Sequence, residues 1–237
     1  MAIKRIKTGI PGLDEMAQGG FEEFSDILVC GGGGSGKTIF ATQFLLEGIR
    51  ENETGIYISF EERKDKFFSH MSLFGWDLEK LEEQGRFVFI EYTPKKMLEV
   101  VKQKGLEIEK SIRELNAKRL VIDSLSAYAA LFNTEAEQRE MLVALFNMIT
   151  NWKCTSVVIA EDDQSIEDRK STVMGFMADA IIYLFEIIRE EKMERAIQIT
   201  KMRGTKHDYR VVPMKIDEKG ITVHSHETLF EGSYKRK

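Results

Sequence analysis

Lys37 and Thr38 close the run Gly31-Gly32-Gly33-Gly34-Ser35-Gly36-Lys37-Thr38, which fits the phosphate-loop pattern G-x-x-x-x-G-K-[ST] without a mismatch. Glycines suit a backbone that must take positive φ and turn its N–H groups onto phosphate oxygens. A helix opening at Lys37-Thr38-Ile39 adds the positive end of its dipole. In that chemistry Lys37 reaches the β- and γ-phosphates and the Thr38 hydroxyl ligates Mg²⁺. Binding alone is not hydrolysis, which also needs one carboxylate to orient or deprotonate water and another for the metal. Two apolar runs end in such acids: Gly55-Ile56-Tyr57-Ile58-Ser59-Phe60 in Glu61-Glu62, and Leu120-Val121-Ile122 in Asp123. Glu61 and Asp123 are the candidates for water and metal. Glu62 also fits a solvated position, because neighbours on a strand point oppositely.

These residues need elements to carry them. Ile27-Leu28-Val29 reads as a buried strand feeding the glycines, and Ala41, Phe44, Leu45, Gly48 and Ile49 share one face of the following helix. A helix with Phe67, Met71 and Phe74 on one face should close at Gly75-Trp76-Asp77, and Phe87-Ile90 should be a strand. One long helical stretch aligns Ile108, Ile112 and Leu115. Another helix, with Leu142, Leu145, Phe146 and Ile149 on one side, leads to the strand 155–160. The strand–helix alternation predicts a mainly parallel, doubly wound α/β sheet. After Asp179, strands at 180–186, 195–202, 210–216 and 221–224, joined by short turns, predict a C-terminal antiparallel extension.

The chain has 237 residues, 43% hydrophobic and 31% charged, with three prolines and no linker-like tract. That supports one domain over residues 1–230, with 231–237 a flexible basic tail. A net charge of −5 gives no general attraction to nucleic acid or anionic lipid. Cys30 and Cys154 lie at or beside buried strands without CxxC spacing, as reduced core residues do, and no apolar run reaches membrane-spanning length. Both observations point to a cytoplasmic protein with no membrane partner.

Several segments taken together carry a family resemblance. Gly9-Ile10-Pro11-Gly12-Leu13-Asp14, Gly19-Gly20, the phosphate loop, Ser59-Phe60-Glu61-Glu62, Phe74-Gly75-Trp76-Asp77, Ile122-Asp123-Ser124 and Lys201-Met202-Arg203-Gly204-Thr205-Lys206-His207 occur in one order and spacing. In this the chain resembles the KaiC-type ATPases of the RecA superfamily, from about residue 5 to about 224, as a single-domain member of the kind found in archaea. The resemblance implies a RecA-like fold, ATP or ADP with Mg²⁺, and a ring homo-oligomer, usually a hexamer, with nucleotide between subunits. It also implies that Lys201, Arg203, Thr205 and His207 belong to the segment that reaches the neighbour's nucleotide. A cation supplied in trans stabilises charge developing on the γ-phosphate. Without the resemblance, Lys201 and Arg203 would read as solvated residues of an edge strand.

Departures limit the transfer. Clock-type members autophosphorylate on a Ser-Thr pair shortly before an Asp matching Asp179, where this chain has Gly175-Phe176, so protein kinase activity is not expected unless Ser171-Thr172 serves instead. The loop that grips single-stranded DNA in recombinases begins here with Glu161-Asp162-Asp163 and contains Glu167 and Asp168 against Arg169-Lys170. Acid there repels phosphate and argues against a nucleic-acid partner. The expectation is an Mg²⁺-dependent ATPase. A nucleotide-gated scaffold with slow hydrolysis, timing exchange of an unknown protein partner, is the alternative. His224-x-His226 lacks a third ligand in reach and carries no metal expectation.

Overall fold

All six residues of Asp26–Gly31 are buried, which a strand achieves only with neighbours on both edges and packed layers on both faces. The computed structural model describes residues 3–162, 173–189 and 192–229. Two short strands, β1 (Arg5–Ile6) and β2 (Phe21–Glu22), pair antiparallel around helix α1 (Leu13–Met16). Then β3 (Asp26–Gly31) runs through the glycines into α2 (Lys37–Arg50). There follow β4 (Thr54–Ser59), α3 (Lys64–Ser72), α4 (Leu78–Glu83) and β5 (Phe87–Glu91). The middle of the chain forms α5 (Pro94–Lys102), α6 (Leu106–Glu114), β6 (Ala117–Asp123), α7 (Leu125–Ala129), α8 (Glu135–Asn151) and β7 (Thr155–Glu161). It closes with α9 (Val173–Met177), β8 (Ala180–Arg189), β9 (Lys192–Met202), β10 (Val212–Asp217) and β11 (Gly220–Val223).

The nine-stranded sheet has the order β11-β10-β9-β8-β3-β7-β6-β4-β5, with β3 in its centre. From β8 to β5 every pairing is parallel, and β8-β9, β9-β10 and β10-β11 are antiparallel, as the expected C-terminal extension requires. One face is covered by α2 with α1, α3 and α4, whose Phe40, Phe44, Leu45 and Phe67 join Phe87 of β5 in one core. The other face buries Met97, Ile108, Leu142 and Phe146 of the helices from α5 to α8. A capping box at Thr134 and Glu137 fixes the start of α8. Because the parallel strands all point the same way, Gly31, Ser59, Asp123 and Glu161 finish along one edge.

The expected long helical stretch before β6 is broken. Gly105, at φ 67°, separates α5 from α6, and a Cβ there would stand 2.5 Å from Met148 Sδ and 2.6 Å from Trp152. Leu115 and Phe74 fall just beyond α6 and α3 instead of on their buried faces, because the left-handed Asn116 and Gly75 that follow end those helices. The strands β8 and β9 run farther than expected, and Arg210 precedes its strand: its guanidinium is bound to Asp208 and to the Ser225 carbonyl. Cys30 and Cys154 are free and buried. Among the described residues no helix is long and apolar enough to cross a membrane.

Candidate active site

The phosphate loop joins the central strand to α2 at the sheet edge where the parallel strands end. Gly34 and Gly36 take the left-handed φ values of 84° and 101° that side chains rarely adopt. A Cβ on Gly31 would lie 2.5 Å from the Leu184 carbonyl and 2.6 Å from Ser35 Oγ, so the loop closes only with glycine there. Gly36 caps α2 without any side-chain hydrogen bond, which leaves the first-turn N–H groups to whatever sits in the loop. Lys37 is buried, and its ammonium donates to the Gly31 and Gly32 carbonyls at 2.9 and 2.7 Å. Ser35 Oγ is buried in the loop and has no partner among the described residues.

Two strand ends, those of β4 and β6, bring the other candidates to the loop. Thr38 Oγ1 donates to Asp123 Oδ2 at 3.1 Å, and the Tyr57 hydroxyl donates to the same oxygen at 2.6 Å. Burial raises the Asp123 carboxyl above its usual range, while the Tyr57 and Thr38 hydroxyls and the Lys37 charge oppose it. The Asp123–Ser124 peptide bond is cis, and the buried Ser124 Oγ is also without a partner among the described residues. Glu61 lies just past β4. Partial burial first, then the charges of Glu161 and Asp123, push its carboxyl up, and Lys37 opposes. Glu62 is engaged elsewhere: its carboxylate stands 2.9 Å from His70 Nδ1, and its backbone exchanges hydrogen bonds with Ser59 Oγ.

Lys201, Arg203, Thr205 and His207 are not at this site. They lie at the end of β9, which is an interior strand and not the exposed edge its charges suggest. The Arg203 N–H donates to the Asp179 carbonyl, and the Asp179 N–H donates to that of Asp26, so Arg203 is level with the start of β3. Gly31 is then roughly 17 Å away along the strand, at about 3.3 Å per residue. The Lys201 ammonium donates to the carbonyls of Gly175 at 2.9 Å and Ala178 at 2.6 Å. Its pKa is lowered by burial and by Arg203, with Asp179 opposing. Arg203 bonds Asp179 Oδ1 and the Phe176 carbonyl, both at 3.1 Å. Thr205 Oγ1 accepts from Arg5 at 2.6 Å and donates to the Arg203 carbonyl, and His207 Nδ1 stands 3.3 Å from the Thr205 carbonyl.

Two residues that the sequence does not single out belong to this framework. Tyr57 reads as one more core residue of a strand, and its hydroxyl meets Asp123 only because β4 and β6 pair in register. Asp26 reads as a turn acid before a strand, yet it accepts from Ser156 Oγ at 2.5 Å and from Thr150 Oγ1 at 2.8 Å, and its N–H donates to Asp179. Asp163, Glu167, Asp168, Arg169, Lys170, Ser171, Thr172 and the tail 231–237 lie outside the described residues. His224 pairs with Glu227 and His226 with Glu15, and no cluster of three or more His, Cys, Asp or Glu side chains placed to hold a metal is found among the described residues.

The arrangement fits a bound nucleoside triphosphate and a hard divalent cation. Glycine amides and an unpaired serine hydroxyl line the loop, and a hydroxyl and a carboxylate converge as oxygen donors beside it. Comparison with known proteins also points to a nucleotide-binding domain. Residues 6–228 match the family described as "ATPase: KaiC". The chain is 33% identical over 239 residues to a UPF0273 protein of Thermotoga maritima, covering 95% of this chain and 98% of that one. It is also 33% identical over 230 residues to the circadian clock protein KaiC3 of Synechocystis sp., covering 93% of this chain and 46% of that one. Among solved structures, the KaiC-like protein PH0186 of Pyrococcus horikoshii OT3 superposes with a TM-score of 0.83 at 33% identity, over 94% of this chain and all of that one. The fold is thus that of the KaiC-like RecA-type domains, and the chain belongs to the KaiC family of nucleotide-binding ATPases.

Proposed function

We propose that the protein hydrolyses ATP in an Mg²⁺-dependent reaction at the end of β3, with residues 1–230 acting as one domain. In this reading the amides of Gly31 to Lys37 hold the phosphates. The Lys37 ammonium exchanges its two loop carbonyls for β- and γ-phosphate oxygens, and the helix that opens at Thr38 and Ile39 adds its dipole. Thr38 and Asp123 would hold the metal, which when bound neutralises charge on the phosphate oxygens. Glu61, with its raised carboxyl pKa and no hydrogen-bonded partner among the described residues, orients and deprotonates water. Glu62 is held by His70 and supports the turn.

The observation that carries this reading is the convergence, at one sheet edge, of a glycine cradle, a buried lysine and a Thr38–Asp123 contact. The position of Lys201 and Arg203, farther from their own loop than an arginine side chain extends, supports a site completed by an adjoining copy. A closed ring, hexameric as in the family resemblance, satisfies that head-to-tail geometry. ADP is the product, and a protein partner would read the nucleotide state. Glu61→Gln should lower steady-state phosphate release by about 100-fold or more while leaving ATP affinity within about threefold. Unchanged phosphate release would refute Glu61 as the base.

A further inference from the structure

The Tyr57 ring belongs to the core: it is 1% exposed, stacked on Phe89 at 5.5 Å and tilted against Phe67 at 4.5 Å. A phenylalanine would fill that space equally well, so packing does not account for the hydroxyl. Burying a phenol costs stability unless it is paired, and the Tyr57 hydroxyl donates to the carboxylate that the ATPase reading gives to the metal. Tyr57 and Thr38 both donate to Asp123 Oδ2, and Oδ1 accepts no hydrogen bond among the described residues. A carboxylate gripped through one oxygen presents the other in a fixed direction. The grip is rigid, because the ring is locked by Phe67 and Phe89 and the register Ser59↔Asp123 sets the height of the carboxylate beside β4.

We propose that Tyr57 is a positioning residue for the metal site: its hydroxyl holds Asp123 through Oδ2, leaves Oδ1 to the divalent cation, and keeps that hold when Thr38 turns its own hydroxyl to the ion. The proposal rests on the assignment of Asp123 to the metal. Outer hydrogen bonds of this kind orient ligating carboxylates, and their loss costs roughly 10- to 100-fold in metal affinity.

The test uses the full-length protein with ADP and Mn²⁺ as the probe, free Mn²⁺ being followed by its electron paramagnetic resonance signal. Tyr57→Phe should weaken Mn²⁺ binding to the protein–ADP complex about tenfold and leave ADP affinity in EDTA within about twofold. In an Asp123→Asn background the same substitution should change Mn²⁺ affinity less than about twofold, since the phenol acts through the carboxylate. Unchanged Mn²⁺ affinity in Tyr57→Phe, equal losses of ADP affinity with and without metal, or an undiminished effect in Asp123→Asn would each overturn the proposal. If the parent complex takes up no more Mn²⁺ than ADP does alone, the metal assignment fails and not merely the part given to Tyr57.

Discussion

Asp26 is a carboxyl at 2% exposure at the first position of the strand that carries the phosphate loop. Burial raises its pKa to about 6; the Ser156 and Thr150 hydroxyls oppose that shift and Asp179 adds to it. The unfolded chain releases this proton near the ordinary value of 3.8, so between about pH 4 and 6 the folded protein holds a proton that the unfolded chain has lost. Stability therefore falls as pH rises through that window and is flat with respect to this group above it. From pH 4.5 to 7 the loss is about 2 kcal/mol, at 1.36 kcal/mol per unit. Chemical denaturation at the two pH values should show Asp26→Asn spared a loss of about that size relative to the parent. Identical pH dependence in parent and variant would mean that Asp26 is already ionised at pH 4.5. The group matters beyond stability because Asp179, bonded to the Asp26 N–H, also holds Arg203.

Helix α2 is fixed by polar contacts as well as by its apolar face. Gln43 takes both backbone groups of Ile221, accepting from its N–H at 2.5 Å and donating to its carbonyl at 3.1 Å, which ties the helix to β11. Arg119 of β6, at 1% exposure, bonds Glu53 at 2.6 Å and the carbonyls of Lys7 and Phe44, with its guanidinium 4.7 Å from the Phe44 ring. Arg119→Leu would deprive a partly buried carboxylate and two carbonyls of their hydrogen bonds from the guanidinium. Urea unfolding should show a loss of about 3 kcal/mol, and a loss under about 1 would contradict the pairing. None of this is legible from the chain alone, where Arg119 passes as an aliphatic stem on a strand and Gln43 as the polar side of a helix. The glycine loop, the strand before it and the apolar face of α2 are legible because type and spacing within a dozen residues dictate them. Asp123 at a strand end is legible for the same reason. The grip of Tyr57, the setting of Asp26 and the break at Gly105 depend on residues that only pairing and packing bring near, such as Met148 and Trp152 beside Gly105. Lys201 and Arg203 are recognisable as a pair by resemblance, but their position opposite their own loop needs the order β9-β8-β3.

At the scale of the whole molecule, each copy carries a phosphate loop at one edge of its sheet and a cationic pair near the other, which makes the molecule directional. Within one copy, Lys201 and Arg203 are occupied by the carbonyls of Gly175, Phe176 and Ala178 and by Asp179. Assembly head to tail would set those cations against the next loop, and a ring closes the series without leaving an unmatched end. Beside them Phe176 is 61% exposed, an apolar residue of the kind such a junction covers. Hydrolysis would then depend on assembly, and ATPase activity per chain should rise with protein concentration until rings fill, as measured by phosphate release alongside light scattering. The sharpest measurement mixes two variants that are each expected to be inactive, Lys37→Ala, with no phosphate lysine, and Arg203→Ala, without the arginine of the trans pair. If sites form between copies, random mixing in equal amounts restores about a quarter of the junctions and a corresponding share of parental phosphate release. If the mixture releases no more phosphate than the two variants measured apart, the site is not shared and the account is contradicted.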